Sequence, residues 1–99
     1  ENIIAQFRTL EREDFAGITE VQLHLNDGNG GSWRYDLQPD FVSEALRITK
    51  EHGVLLQALP WGFEKEDLFA VLDLGVRSFA VDYPNKFKKY CAVYFARGV

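Results

Sequence analysis

His24 is the residue of this chain with the widest chemical repertoire. It closes an alternating run in which Glu20, Gln22 and His24 fall on one face and Val21, Leu23 and Leu25 on the other. At the C-terminal end of a strand, an imidazole is able to hold a phosphate or to move a proton. The plainer role is a structural histidine, hydrogen-bonded within an interior. Asp82 ends the run Ser78-Phe79-Ala80-Val81 and either lines a site or caps the turn into Pro84. Trp61 and Trp33 follow strand-like runs, where aromatic rings wall a ligand pocket or anchor a loop on the core. Gln6 and Gln57 share the parity of the polar faces and serve as interior hydrogen-bonders.

Other features exclude chemistry. Asp27, Asn29 and Gly31 begin like a calcium-binding EF-hand loop, but Ser32 occupies its obligatory glycine position and Gln38 its terminal glutamate position. The same glycine-rich stretch lacks the Lys-Ser/Thr that a phosphate-binding loop requires. His52 precedes Gly53 at a helix C-terminus, where a cation is favoured, and receives no catalytic role. Cys91 lies on an apolar helical stripe as a small buried residue.

The elements that must carry these residues alternate along the chain. Strand-sized runs cover residues 2–7, 19–25, 54–59 and 78–82, each rich in apolar or β-branched residues. Helices are expected over 39–52, 64–74 and 84–96, and a short charged helix or turn over 9–15. Pro39 and Pro84 suit first helical positions, and Gly53 suits a left-handed C-terminal cap. Alternating strands and helices predict an α/β fold with a parallel sheet and helical crossovers. If such a sheet closes into a parallel barrel, the polar strand faces point inward and the apolar faces toward the helices.

The chain has 99 residues, a net charge of −4, 46% hydrophobic residues and 1 Cys. That suits one globular domain without an internal disulfide framework. The acidity argues against a nucleic-acid backbone binder. No apolar run is long enough for a membrane span, and no signal peptide is expected.

One resemblance adds to this reading. The stretch 53–87 contains Leu72-Asp73-Leu74-Gly75-Val76 and then Asp82-Tyr83-Pro84. It resembles the C-terminal end of the glycerophosphodiester phosphodiesterase family, a group of phospholipase-C-like TIM barrels. Val81 stands where the family usually has Thr, and Trp61 lies two residues beyond the usual Trp-Thr position near Leu59-Pro60. The family's catalytic His-Arg, Glu-x-Asp and second His motifs have no counterpart here. A full barrel takes about 250 residues. The resemblance therefore implies parallel β/α units forming the C-terminal half, about four strands, of a TIM (β/α)8 barrel.

It also implies metal-assisted phosphodiester hydrolysis with Ca2+ or Mg2+ held by carboxylates of the other half. No catalytic residue and no metal ligand is expected from this chain; Gln6, His24, Trp61 and Asp82 are the substrate-lining candidates. The expected partners are an N-terminal half barrel or a homo-oligomer, with a small phosphodiester or lipid head group as ligand. Two other readings compete. One is a non-enzymatic half-barrel module that self-associates or binds another chain. The other is a piece of a different barrel enzyme such as a sugar hydrolase. That would need two carboxylates at the mouth, and only Asp27 and Asp82 end strands, unpaired.

Overall fold

A computed structural model of the chain describes residues 2–28 and 33–96. The element order is α1 (Asn2–Arg12), β1 (Glu20–Leu25), α2 (Pro39–Glu51), β2 (Leu55–Pro60), α3 (Lys65–Asp73) and α4 (Pro84–Ala96). The fold is mixed α/β. β1 and β2 pair in parallel, from Glu20 opposite Leu55 to Leu25 opposite Pro60.

The first expected strand, residues 2–7, is a helix. Phe7 is buried, with Ile3 and Leu10 packed beside it in the core. That spacing is a helical stripe, and it outweighs the β-branched run that suggested a strand. Ile4, within that run, is 37% exposed. The helix continues through much of the segment expected to be a separate charged turn. It ends in two consecutive left-handed residues, Asp14 (φ 55) and Phe15 (φ 53). They turn the Phe15 ring onto Phe7, at 5.7 Å between centroids.

β1 and β2 form where expected. The residues of β1 alternate exposed and buried, with Val21, Leu23 and Leu25 inside. The fourth expected strand, residues 78–82, shrinks to a single parallel bridge between Ala58 and Phe79. The Ala58 N–H donates to the Ser78 carbonyl (2.9 Å), and the Ala80 N–H donates to the Ala58 carbonyl (3.0 Å). Among the described residues this short segment has a neighbour on one side only, and Pro84 soon starts α4, so the ladder does not extend. Four strands thus become two and a bridge.

The three later helices match their expected positions. Pro39 starts α2, and Gly53 follows it with φ 69, as a left-handed cap requires. The Asp67 carboxylate accepts the Glu64 N–H at 2.9 Å, satisfying an otherwise orphaned donor at the start of α3. One apolar cluster joins Phe7, Phe15, Val21, Leu23, Leu25, Phe41, Ala45, Ile48, Leu56 and Ala58. A second joins Phe63, Leu68 and Leu72 to Phe79, Val81, Phe87 and Tyr90. By strand parity, both clusters draw on the same side of the sheet. The helices therefore pack on one face and, among the described residues, leave the other open. α4 contributes no fully buried residue. Arg8 of α1 ties to Glu44 of α2 at 2.9 Å.

Candidate functional site

The open face of the sheet carries the polar row expected from strand parity. The Gln22 amide donates to Gln57 Oε1 at 2.7 Å, and the Gln57 amide donates to Ser78 Oγ at 3.5 Å. His24 lies on this face, exposed, with Leu59 as its register partner. Leu55 shares the face at the opposite end of β2 and is 52% exposed.

Two loops meet at the C-terminal end of the sheet. The Trp61 N–H donates to the Leu25 carbonyl at 2.8 Å, carrying the ladder one residue past β2. The Trp61 indole is 59% exposed. The loop after β1 folds back on itself: the Gly28 N–H donates to the Arg34 carbonyl, and the Asp36 N–H to the Asn26 carbonyl, both at 2.8 Å. A Cβ on Gly28 would stand 2.7 Å from the Tyr35 carbonyl carbon, so this turn accepts only glycine without a backbone shift. The Asn29, Gly31 and Ser32 positions weighed in the rejected calcium-loop reading lie outside the described residues.

Three contacts join this loop to its neighbours. The buried Tyr35 hydroxyl donates to the Gly62 carbonyl at 2.6 Å. Burial first, then the Asp67 charge, push its phenol well above the ordinary value, so it is a fixed donor. Arg34 Nη1 donates to Asp67 Oδ2 at 2.9 Å, and its guanidinium lies 5.2 Å from the centre of the Trp61 ring. That hydrogen bond is the main reason the guanidinium is held still more firmly protonated. Trp33 anchors the loop, its indole N–H donating to the Leu37 carbonyl at 2.7 Å.

Around these groups lies a cleft of about 400 Å³ lined by Arg34, Trp61, Glu64, Asp82, Tyr83 and Lys86, among others. The Lys86 ammonium sits 3.4 Å from Glu64 Oε2, 5.4 Å from the Phe63 ring centre and 5.9 Å from that of Tyr83. Two cations, several aromatic faces and carboxylate acceptors thus share one opening. No protein-family profile, no curated protein and no solved structure matches the chain.

The four substrate-lining candidates divide between two clefts. Trp61 and Asp82 share the one just described. Gln6 and His24 line a second, of about 220 Å³, together with Ile3, Phe7 and Leu10 of α1 and the length of β1. Gln6 is not an inward strand residue, because its segment is helical; it is exposed on α1. His52 is at the far end of the sheet from Trp61, its Nδ1 paired with the Ile48 carbonyl at 2.9 Å. Cys91 is half-buried against the second cluster, and burial raises its thiol above the usual value. Among the described residues, no three His, Cys, Asp or Glu side chains group as a metal ion needs, and no helix is long and apolar enough to cross a membrane.

Sequence reasoning missed Arg34, Asp67 and Lys86. A signal existed for the first: Trp33-Arg34-Tyr35 places a cation between aromatics just past a strand end. Lys86 offered none, since a lysine in the first turn of a helix is usually a solvated charge.

Proposed function

We propose that the chain is the C-terminal part of a glycerophosphodiester phosphodiesterase-like barrel, inactive without an N-terminal half. The observation that carries this reading is the one-sided sheet. Purely parallel sheets are covered on both faces, because crossover helices or a closed interior take them out of water. Here one face carries the helices, and the other presents the row Gln22, Gln57 and Ser78. Such a face suits the inside of a barrel, where inward side chains from neighbouring strands meet in layers. The exposed Leu55 on that face also calls for cover.

The motif residues fit the same reading. Gly75 (φ 103) ends α3, Val76 is fully buried at the entry to the third strand position, and Asp82 leads into Pro84 of α4. In the complete barrel, Trp61 and Asp82 would line the mouth and His24 the interior. The Ca2+ or Mg2+ that the family implies belongs with carboxylates of the other half.

The test is hydrolysis of a soluble glycerophosphodiester with Ca2+ or Mg2+. The chain alone should show no turnover, and the chain co-expressed with an N-terminal half barrel should hydrolyse it. Metal-dependent turnover by the chain alone, abolished by His24→Ala, would refute the half-barrel reading. The second reading, a non-enzymatic module, is favoured by the outer edge of β1, which pairs with no further strand among the described residues. The Thr19 and Leu25 carbonyls accept from β2 and the residue after it, so by the alternation of a parallel ladder the backbone groups of Gln22 and His24 point away from β2. A stable self-associated form in sedimentation, with no activity in either mixture, would favour it.

A further inference from the structure

We infer that the cleft at the C-terminal end of the sheet binds a phosphate group between Arg34 and Lys86, without a metal ion. The inference rests on the phosphodiester reading for the class of anion, and on this chain's own residues for the site. Arg34 is held ready. Its Nη1 is committed to Asp67 Oδ2 at 2.9 Å, and the Trp61 ring backs the guanidinium at 5.2 Å. The rest of its planar fork of donors is directed by those two contacts rather than by solvent. Nη2 lies toward Gly62, where a Cβ would stand 3.8 Å away, so the missing side chain keeps that flank of the cleft open.

Lys86 supplies the second charge. Its ammonium is held over the Phe63 and Tyr83 rings at 5.4 and 5.9 Å. Among the described residues its one close carboxylate, Glu64, is at 3.4 Å with a side chain 66% exposed. A pair that open to water is weak, so the ammonium can turn to a better acceptor at little cost. A forked donor beside an ammonium whose only acceptor is a weak one suits a tetrahedral oxyanion, which offers more acceptor positions than a carboxylate. Asp82 and Glu64 on the same rim oppose an anion and make the affinity modest. They also suit hydroxyl groups next to the phosphate.

The position fits general barrel architecture. Ligands gather at the C-terminal ends of parallel strands, and loops after the last strands of barrels frequently hold phosphate. The phosphate could belong to a soluble ester or to a lipid head group, and the two sources are separable by experiment.

The 99-residue chain is titrated with inorganic phosphate at constant ionic strength while 1H–15N spectra are recorded. Saturable shifts should centre on the Trp61 indole and the Gly62 and Phe63 amides. Arg34→Gln and Lys86→Gln should each weaken binding about tenfold, the loss of one hydrogen bond to a charged group. Lys86 is half-buried in the first turn of α4 and takes no part in the loop after β1, so Lys86→Gln keeps the test valid if Arg34→Gln disturbs that loop. A soluble glycerophosphodiester shifting the same resonances assigns a free ester. Binding only to vesicles containing phosphatidic acid, lost in Lys86→Gln, assigns a lipid head group. Shifts absent, scattered over the surface, or indifferent to both substitutions overturn the inference. The two readings fail separately: a completed barrel whose hydrolysis and KM ignore Arg34→Gln removes this site and leaves the phosphodiesterase. Phosphate binding in an assembly that never hydrolyses does the reverse.

Discussion

Replacing Tyr35 by Phe isolates the hydrogen bond that ties the loop after β1 to the loop after β2. Tyr35 is 2% exposed, and its hydroxyl donates to the Gly62 carbonyl at 2.6 Å. The substitution keeps the ring, its edge-on contact with Trp33 (5.7 Å) and its place in the core. What is lost is one neutral hydrogen bond. Gly62 is only half-buried, so water can reach the abandoned carbonyl, and the full penalty of a buried unsatisfied group does not apply. The expected loss is about 1 kcal/mol. In a domain of this size that lowers Tm by roughly 4–8 °C. Thermal unfolding by circular dichroism measures it. Amide hydrogen exchange should quicken at Phe63 and Glu64 while β1 and β2 hold their protection. A variant with unchanged Tm and unchanged exchange at those amides would refute the claim that this contact fixes the cleft.

Three further outcomes test the fold. Phe7→Ala should cost about 3–5 kcal/mol by urea unfolding, whereas Ile4→Ala, at an exposed position of α1, should be close to neutral. Equal costs would restore the strand reading of residues 2–7. Gly28→Ala should destabilise the chain and disturb the loop after β1, since the new Cβ meets backbone at 2.7 Å; an undisturbed Trp33 and Trp61 fluorescence spectrum and an unchanged Tm would count against that turn. The hydrogen bond from Arg8 holds the Glu44 carboxyl below its ordinary range. Its contribution is therefore complete above the unfolded value, roughly pH 4–5, and is lost as the pH falls through the lower folded value. The stability difference between the parent chain and Glu44→Gln should shrink to nothing in acid and with added salt, as urea midpoints at several pH values will show.

The parts of the fold legible in the sequence were those with a period and a punctuation mark. β1 alternates cleanly because one face is buried, and α2 is framed by Pro39 and Gly53. Parallel pairing followed from the helix between β1 and β2. The run Ile3-Ile4-Ala5-Gln6-Phe7 misled because a short apolar stretch fits either period. Phe7 and Leu10, with Ile3, decide for the helix only once residues beyond the run are counted. Residues 78–82 have strand composition, yet strand length depends on neighbours, and among the described residues only Ala58 provides one. For the site, Trp61 and Asp82 were readable as strand-end residues. The meeting of Arg34 with Lys86 was not, because it depends on the contacts of two loops and a helix that lie far apart in sequence.

The absence of a buried residue in α4 orders the way this molecule comes apart. α4 is attached through half-buried side chains, Phe87, Tyr90, Cys91 and Tyr94, lying on the second cluster. Arg77 helps from outside: its Nη1 donates to the Leu72 and Val76 carbonyls, each at 2.9 Å, and its guanidinium lies 5.2 Å from the Phe95 ring centre. Peeling α4 away would bare Phe63, Leu68 and Leu72 but leave the cluster beneath α1 and α2 intact. The chain thus has a firm tier and a loose tier, and the lowest-energy opening is a partial one. Because Lys86 and Tyr83 leave with the loose tier, a ligand in the cleft would clamp it, slowing proteolysis within α4 before it changes the global unfolding midpoint.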